Sequence, residues 1–215
     1  MTVRAKICGV NDRAAAKAAA ESGAAFVGLV FYPPSPRFVT PHQAADIVAI
    51  LPAGIERVGL FVDADEALIS TVLKTVPLDM LQLHGEETPQ GVRALKRALG
   101  LPVMKAVKLA AADDLGAAEP YCDAADWLLF DAKPPESMAD ALPGGNALSF
   151  DWQFLGGRRL PIPWMLSGGL NAENLAEAVR TTGATVVDVS SGVESDPGHK
   201  DPARIRAFLA AAARL

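Results

Sequence analysis

The chain has 215 residues, half of them hydrophobic and 21% charged, enough for a sizeable core in one large domain or two small ones. A net charge of −5, with no Lys/Arg cluster along any face, argues against nucleic acid and anionic membranes as partners. No apolar run reaches the length of a membrane span, and the opening MTVRAKICG lacks a signal peptide's features. The 2 cysteines, Cys8 and Cys122, fit no zinc or disulfide pattern, so a reducing cytoplasm is the expected setting.

Val3 to Cys8 reads as a strand, with Arg4, Lys6 and Cys8 on one face and Val3, Ala5 and Ile7 on the other. An alanine-rich helix over 11–21 follows and stops at Ser22-Gly23. Phe26 to Phe31 is a second strand, leading into the proline-rich loop Tyr32 to Arg37. Thr40-Pro41-His42-Gln43 has the capping-box pattern that starts a helix. Arg57 to Val62 is a third strand, with its helix expected from Asp63 or Ala64. Met80 to Gly85 is a fourth, before a helix at Thr88-Pro89. Val103 to Leu109 is a fifth, with a helix expected over 113–119. Trp127 to Asp131 is a sixth, and Ala132 to Ser149 is a long irregular stretch after it. Trp164 to Gly169 is a seventh, with Asn171 expected to cap the next helix. Val186 to Gly192 is an eighth, and Asp201-Pro202 opens a final helix running nearly to Leu215.

Continuous apolar strands separated by helices mean a parallel sheet covered by helices. Eight such units over 1–215 predict an α/β chain forming a single (β/α)₈ barrel of the TIM type, short for its class. A doubly wound open sheet is the alternative, because strand order is not written in the sequence.

Chemistry-bearing residues gather at strand C-termini: Cys8, Arg37, His84, Asp131, Ser167 and Ser190. In a barrel, that rim carries the active site. A lysine beside Cys8 on the same face favours thiolate, the form a base or nucleophile needs; simple burial is the competing fate of a lone cysteine. Cys122 falls before the sixth strand and is read as structural, while His42 and His199 are expected in solvent. His84 is either a base or a positioning residue. Gly168, Gly169, Ser190, Ser191 and Gly192 follow the seventh and eighth strands, where barrels of this class cradle phosphate on backbone amides. The stretch 132–149 is either a lid over the site or a fixed connector packed by Met138 and Leu142.

These features occur within a run of motifs. Lys6-Ile7-Cys8-Gly9, Ser35-Pro36-Arg37, Gln82-Leu83-His84-Gly85, Phe130-Asp131, Phe150-Asp151-Trp152, Gly168-Gly169-Leu170 and Asp188 to Glu194 stand in order and in register with the strands. In this the chain resembles the phosphoribosylanthranilate isomerases of tryptophan biosynthesis over essentially its whole length. One departure is Gly144-Gly145-Asn146-Ala147, where that family usually has a GGTG-like run.

The resemblance implies an Amadori rearrangement of N-(5-phosphoribosyl)anthranilate to 1-(2-carboxyphenylamino)-1-deoxyribulose 5-phosphate, with no metal and no cofactor. It implies Cys8 as general base and Asp131 as general acid, the acid protonated at working pH. It makes Arg37 the clamp for the anthranilate carboxylate, for which a guanidinium offers bidentate geometry. Asp188 and Gln82 are expected on ribose hydroxyls or orienting neighbours. Two rivals stay open at this point: another sugar-phosphate barrel isomerase, or a phosphometabolite-binding protein with no catalytic role.

Overall fold

The structure, a computed structural model, describes residues 2–135, 137–138 and 142–215. Among these, eight parallel strands close in sequence order into a barrel. They are β1 (Arg4–Cys8), β2 (Phe26–Val30), β3 (Glu56–Phe61), β4 (Met80–Leu83), β5 (Val103–Leu109), β6 (Trp127–Ala132), β7 (Trp164–Leu166) and β8 (Val186–Val189). β8 pairs back onto β1, with Lys6 opposite Asp188. Closure decides against the open sheet and leaves no exposed barrel edge.

The helices are α1 (Arg13–Glu21), α2 (Pro41–Val48), α3 (Glu66–Leu73), α4 (Pro89–Leu99), α5 (Leu175–Thr182) and α6 (Pro202–Ala212). Several start where side-chain chemistry places them. Asp12, Thr40, Asp65, Thr88 and Asp201 each accept a backbone N–H in the first turn, and Thr40 with Gln43 completes the capping box.

Three expectations need correction. α3 starts at Glu66 rather than near Asp63, because Asp63 takes a left-handed φ of 48° and uses its carboxylate to accept from the Glu86 amide. The segment after β5 is a 3-10 helix over Ala112–Tyr121, since Gly116 and Pro120 both oppose a regular α-helix. Asn171 accepts from Glu173 and Asn174 N–H in a preceding turn, so the helix itself starts one turn later, after Asn174. A short hairpin, β9 (Glu194–Asp196) and β10 (His199–Lys200), was not legible as strand.

Two cores follow from strand alternation. Outward residues such as Ile7, Val27, Leu81 and Leu128 pack against the helices. Inward residues at the strand starts form a separate plug of Phe26, Val58, Met80, Met104, Leu129, Met165 and Val186. Moving along the same inward faces toward the strand C-termini, the side chains turn polar. Met80 is followed by Gln82 and His84, Leu129 by Asp131, Met165 by Ser167, and Val186 by Asp188. The plug closes the barrel from below, and the polar residues stand on it.

Candidate active site

Above the plug lies a cavity open at the strand C-termini. Cys8, Arg37, Gln82, His84, Asp131, Gly168, Gly169, Asp188, Ser190 and Ser191 all line it. Of the residues expected in the site, Gly192 alone is absent from this wall. A Cβ there would collide with the Leu170 carbonyl oxygen, so this glycine lets the loops after β7 and β8 pack together. Cys122 lies apart and half-buried; His42 and His199 are exposed.

β1 supplies the base side. Lys6 Nζ donates to Asp188 Oδ1 at 2.9 Å across the β1–β8 pair, both side chains buried. Ser167 Oγ, just past the end of β7, donates to Asp188 Oδ2 at 3.2 Å. Burial opposes the charge on Lys6, but Asp188 outweighs it and holds the ammonium above its ordinary range. Cys8 stands next on the same face, buried and opposite Gly28. A Cβ at Gly28 would approach both Cys8 Sγ, at 3.0 Å, and Lys6 Cε, at 3.2 Å, so the missing side chain leaves room for this pair.

The expectation that Lys6 drives Cys8 to thiolate is only partly met. Burial pushes the thiol up, Lys6 pulls it down, Asp188 pushes it up again, and the net direction is up. Burial is the largest of these effects and outweighs the pull of Lys6. A thiolate whose conjugate thiol is favoured is the stronger base, at the cost of a smaller ionised fraction near neutrality.

β4 and β6 supply the acid side. Asp131 is buried, with Oδ1 accepting from the Ala132 amide at 2.9 Å and Oδ2 lying 3.3 Å from His84 Nε2. Gln82 Nε2 sits 3.0 Å from His84 Nδ1, which fixes the ring. Gln82 Oε1 has no hydrogen-bond partner among the described residues, although it is buried. An acceptor left open in a polar cavity suits a ligand hydroxyl. Behind the barrel wall, Lys105 Nζ donates to the Gly85 carbonyl at 2.6 Å and pairs with Glu87 at 2.8 Å, holding the loop that follows His84.

Residues 142–148 line the mouth. A Cβ on Gly144 would come within 2.8 Å of His84 and 2.9 Å of Asp131, so only glycine lets the backbone lie this close to the acid. Asn146 staples the turn, donating to the Leu142 carbonyl at 2.7 Å and accepting from its amide at 3.0 Å. Ala147, where a glycine is usual in the resembling family, adopts a left-handed φ of 57°. Positions 136 and 139–141 of the stretch after β6 lie outside the described residues. Met138 is 39% exposed and does not pack the connector down; Leu142 faces the cavity.

Arg37 also differs from expectation. Its Nε and Nη2 bind Glu194 Oε1 and Oε2 at 2.7 and 2.8 Å, so the bidentate edge is already occupied. Nη2 further donates to the Gly145 carbonyl at 3.1 Å. Gly9, at φ 75°, makes the fit possible: a Cβ there would lie 2.7 Å from Arg37 Cδ. Glu194 in turn takes Lys200 Nζ at 2.6 Å. Sequence reasoning missed both partners, because Arg37 and Glu194 are 157 residues apart and Lys200 falls in a polar run of sequence with no apolar pattern to signal burial.

Fold and cavity together define a (β/α)₈-barrel enzyme with its working end at the strand C-termini. The family model described as N-(5′-phosphoribosyl)anthranilate (PRA) isomerase matches residues 5–211, and the chain belongs to that family. The N-(5′-phosphoribosyl)anthranilate isomerase of Rhodospirillum centenum is 60% identical over 215 residues, covering 100% of both chains. The crystal structure of phosphoribosyl anthranilate isomerase from Thermotoga maritima superposes with a TM-score of 0.87 at 39% identity, covering 99% of this chain and 100% of that one. Another crystal structure of such an isomerase, in complex with reduced 1-(o-carboxyphenylamino)-1-deoxyribulose 5-phosphate, gives 0.83 at 37%, with the same coverage.

Proposed function

We propose that the chain performs its family's isomerisation with Asp131 as general acid and Cys8 as general base. The reaction converts N-(5′-phosphoribosyl)anthranilate to the corresponding aminoketose in tryptophan biosynthesis. The observation that carries the roles is the placement of a buried carboxyl and a buried thiol on different strands around one cavity.

Asp131 gives its proton to the ribose ring oxygen, and the ring opens to a Schiff base. Cys8, as thiolate, then takes the proton from C2′. The resulting enolamine relaxes to the ketone, and the enzyme resets when Asp131 regains a proton and Cys8 loses one. His84 Nε2 lies beside Asp131 Oδ2, and the Gly144 backbone lies close over the acid.

The substrate's two anionic ends find different receptors. Gly168, Gly169, Ser190 and Ser191 offer backbone amides and hydroxyls for the phosphate, with Gly192 acting through loop packing. Arg37 meets the anthranilate carboxylate through Nη1, the end that Glu194 leaves open. Gln82 and Asp188 are placed for ribose hydroxyls. A thiol base requires a reducing compartment, which supports the cytoplasm, and both cysteines are free. The whole of 1–215 serves as one barrel domain in this reading.

A coupled assay with freshly made N-(5′-phosphoribosyl)anthranilate tests the reaction. Loss of turnover in Cys8→Ala and Asp131→Asn, with substrate still bound, supports the roles. A crystal soak that placed inorganic phosphate away from Gly169 and Ser190 would overturn the phosphate site.

A further inference from the structure

The hairpin of β9 and β10 lies against the loop that carries Arg37. Its turn residue Gly198, at φ 83°, abuts the Pro36 carbonyl, and its own carbonyl accepts from Asn11 Nδ2 at 2.8 Å. At the root of the hairpin stands Glu194, whose backbone carbonyl accepts from Arg204 of α6. Its carboxylate is 3% exposed, grips Arg37 by two parallel bonds and takes Lys200 on Oε1. Lys200 Nζ also donates to the Ser190 carbonyl at 3.0 Å and to Ser190 Oγ at 3.2 Å.

We propose that Glu194 is a positioning residue for substrate binding: it sets the Arg37 guanidinium in the cavity wall, and Lys200 ties that pair to Ser190 at the phosphate end. The proposal rests on the reading that Arg37 meets the substrate carboxylate. Three features favour positioning over simple stability. A buried ion pair is a poor stabiliser but a good device for fixing one geometry. The two-bond grip removes the freedom of a long side chain before the ligand arrives. One carboxylate facing two cations leaves an excess positive charge at the wall, where the substrate brings negative charge. The imbalance is visible in Lys200, which burial pushes down to about 8, with Glu194 only partly restoring its charge and Arg37 repelling it. Burial likewise works against Glu194's charge, but Arg37 and Lys200 together hold its carboxyl below the usual range.

The test compares Arg37→Met, Glu194→Gln and the double variant by steady-state kinetics, with folding followed by thermal unfolding. Glu194→Gln should raise KM about tenfold or more with kcat within about threefold, the signature of lost uniform binding. Arg37→Met should do the same, and adding Glu194→Gln to it should raise KM no further. If Arg37→Met leaves KM unchanged, the carboxylate reading fails. If Arg37→Met raises KM and Glu194→Gln does not, or if Glu194→Gln lowers kcat as much as kcat/KM, the positioning proposal fails and the carboxylate reading stands. Should Glu194→Gln not fold, Glu194→Gln with Lys200→Met restores the wild-type charge of the cluster. The same rise in KM is expected there, and an unchanged KM overturns the proposal.

Discussion

The two rims of this barrel use the same residue types to different ends. At the strand N-termini, Arg4–Glu56, Arg57–Asp79 and Lys96–Asp126 join neighbouring elements with side chains 31–49% exposed. Asp79 and Asp126 also accept the backbone amides of Arg57 and Val103, so these acids serve the starts of β3 and β5. At the C-terminal rim, Lys6–Asp188, Arg37–Glu194 and Lys200–Glu194 are at most 5% exposed. Exposed pairs are cheap and nearly silent; buried ones cost desolvation and hold charge in a fixed place. On the proposed function, the difference separates the rim that receives a ligand from the rim that holds the strand starts.

The largest break in that comparison comes from the acid. Asp131→Asn should lower kcat by roughly 10²–10⁴-fold with a small change in KM, as for any positioned proton-transfer group. Stopped assays with product quantified by absorbance measure it, and turnover close to wild type would remove Asp131 from its role.

Next in size is the carboxylate clamp. Arg37→Met should weaken product binding by about 1.5–3 kcal/mol, the range for a charge-assisted hydrogen bond. Titration calorimetry with the aminoketose product reads this directly. A loss well below that range would mean that Glu194, rather than a ligand, is the only partner Arg37 serves.

The control on the opposite rim should be small. Asp79→Asn should leave kcat and KM unchanged and cost less than about 1 kcal/mol, since the pair is about one-third exposed. The Arg57 hydrogen bond holds the Asp79 carboxyl below its ordinary range against a modest opposing effect of burial. Its contribution is therefore present above the unfolded carboxylate's pKa, about 4, and is lost as pH falls through the lower folded value. Wild type and variant should converge in urea midpoint as pH drops into that window.

Ala147→Gly sharpens the account at the mouth. An alanine at φ 57° carries strain that glycine does not, which offsets glycine's greater unfolded-chain entropy. The variant should be as stable as wild type or gain up to about 1 kcal/mol, measured by chemical denaturation.

Much of this was legible in the sequence. Apolar runs marked all eight strands, and β5 has the limits its pattern predicts. Caps at Thr40, Thr88 and Asp201 marked three helix starts because capping is local chemistry. Strand alternation placed Cys8 with Lys6 and Asp131 above Leu129. What escaped was non-local. The Arg37–Glu194–Lys200 cluster, the pairing of Lys6 with Asp188 and the hairpin all depend on closing the barrel, which brings residues far apart in the chain into contact. The direction of the Cys8 shift escaped for the same reason: the lysine is visible in KICG, but the burial that outweighs it comes from closing the barrel, with Asp188 of β8 adding to it.

The central claim is that a buried thiol at the C-terminal rim acts as the base, and the pH dependence of kcat/KM tests it most directly. Because burial raises the Cys8 thiol above its ordinary value, only a minor fraction is ionised near neutrality, and that fraction grows with pH. In an Asp131→Asn background, where the acid no longer titrates, residual kcat/KM should climb about tenfold per pH unit from neutrality toward the thiol's pKa; Cys8→Ala should be roughly 10²–10⁴-fold slower than wild type, and the double variant should lack the rise. A folded Cys8→Ala variant that turns over near the wild-type rate, or a double variant that keeps the rise seen in Asp131→Asn, would contradict the assignment.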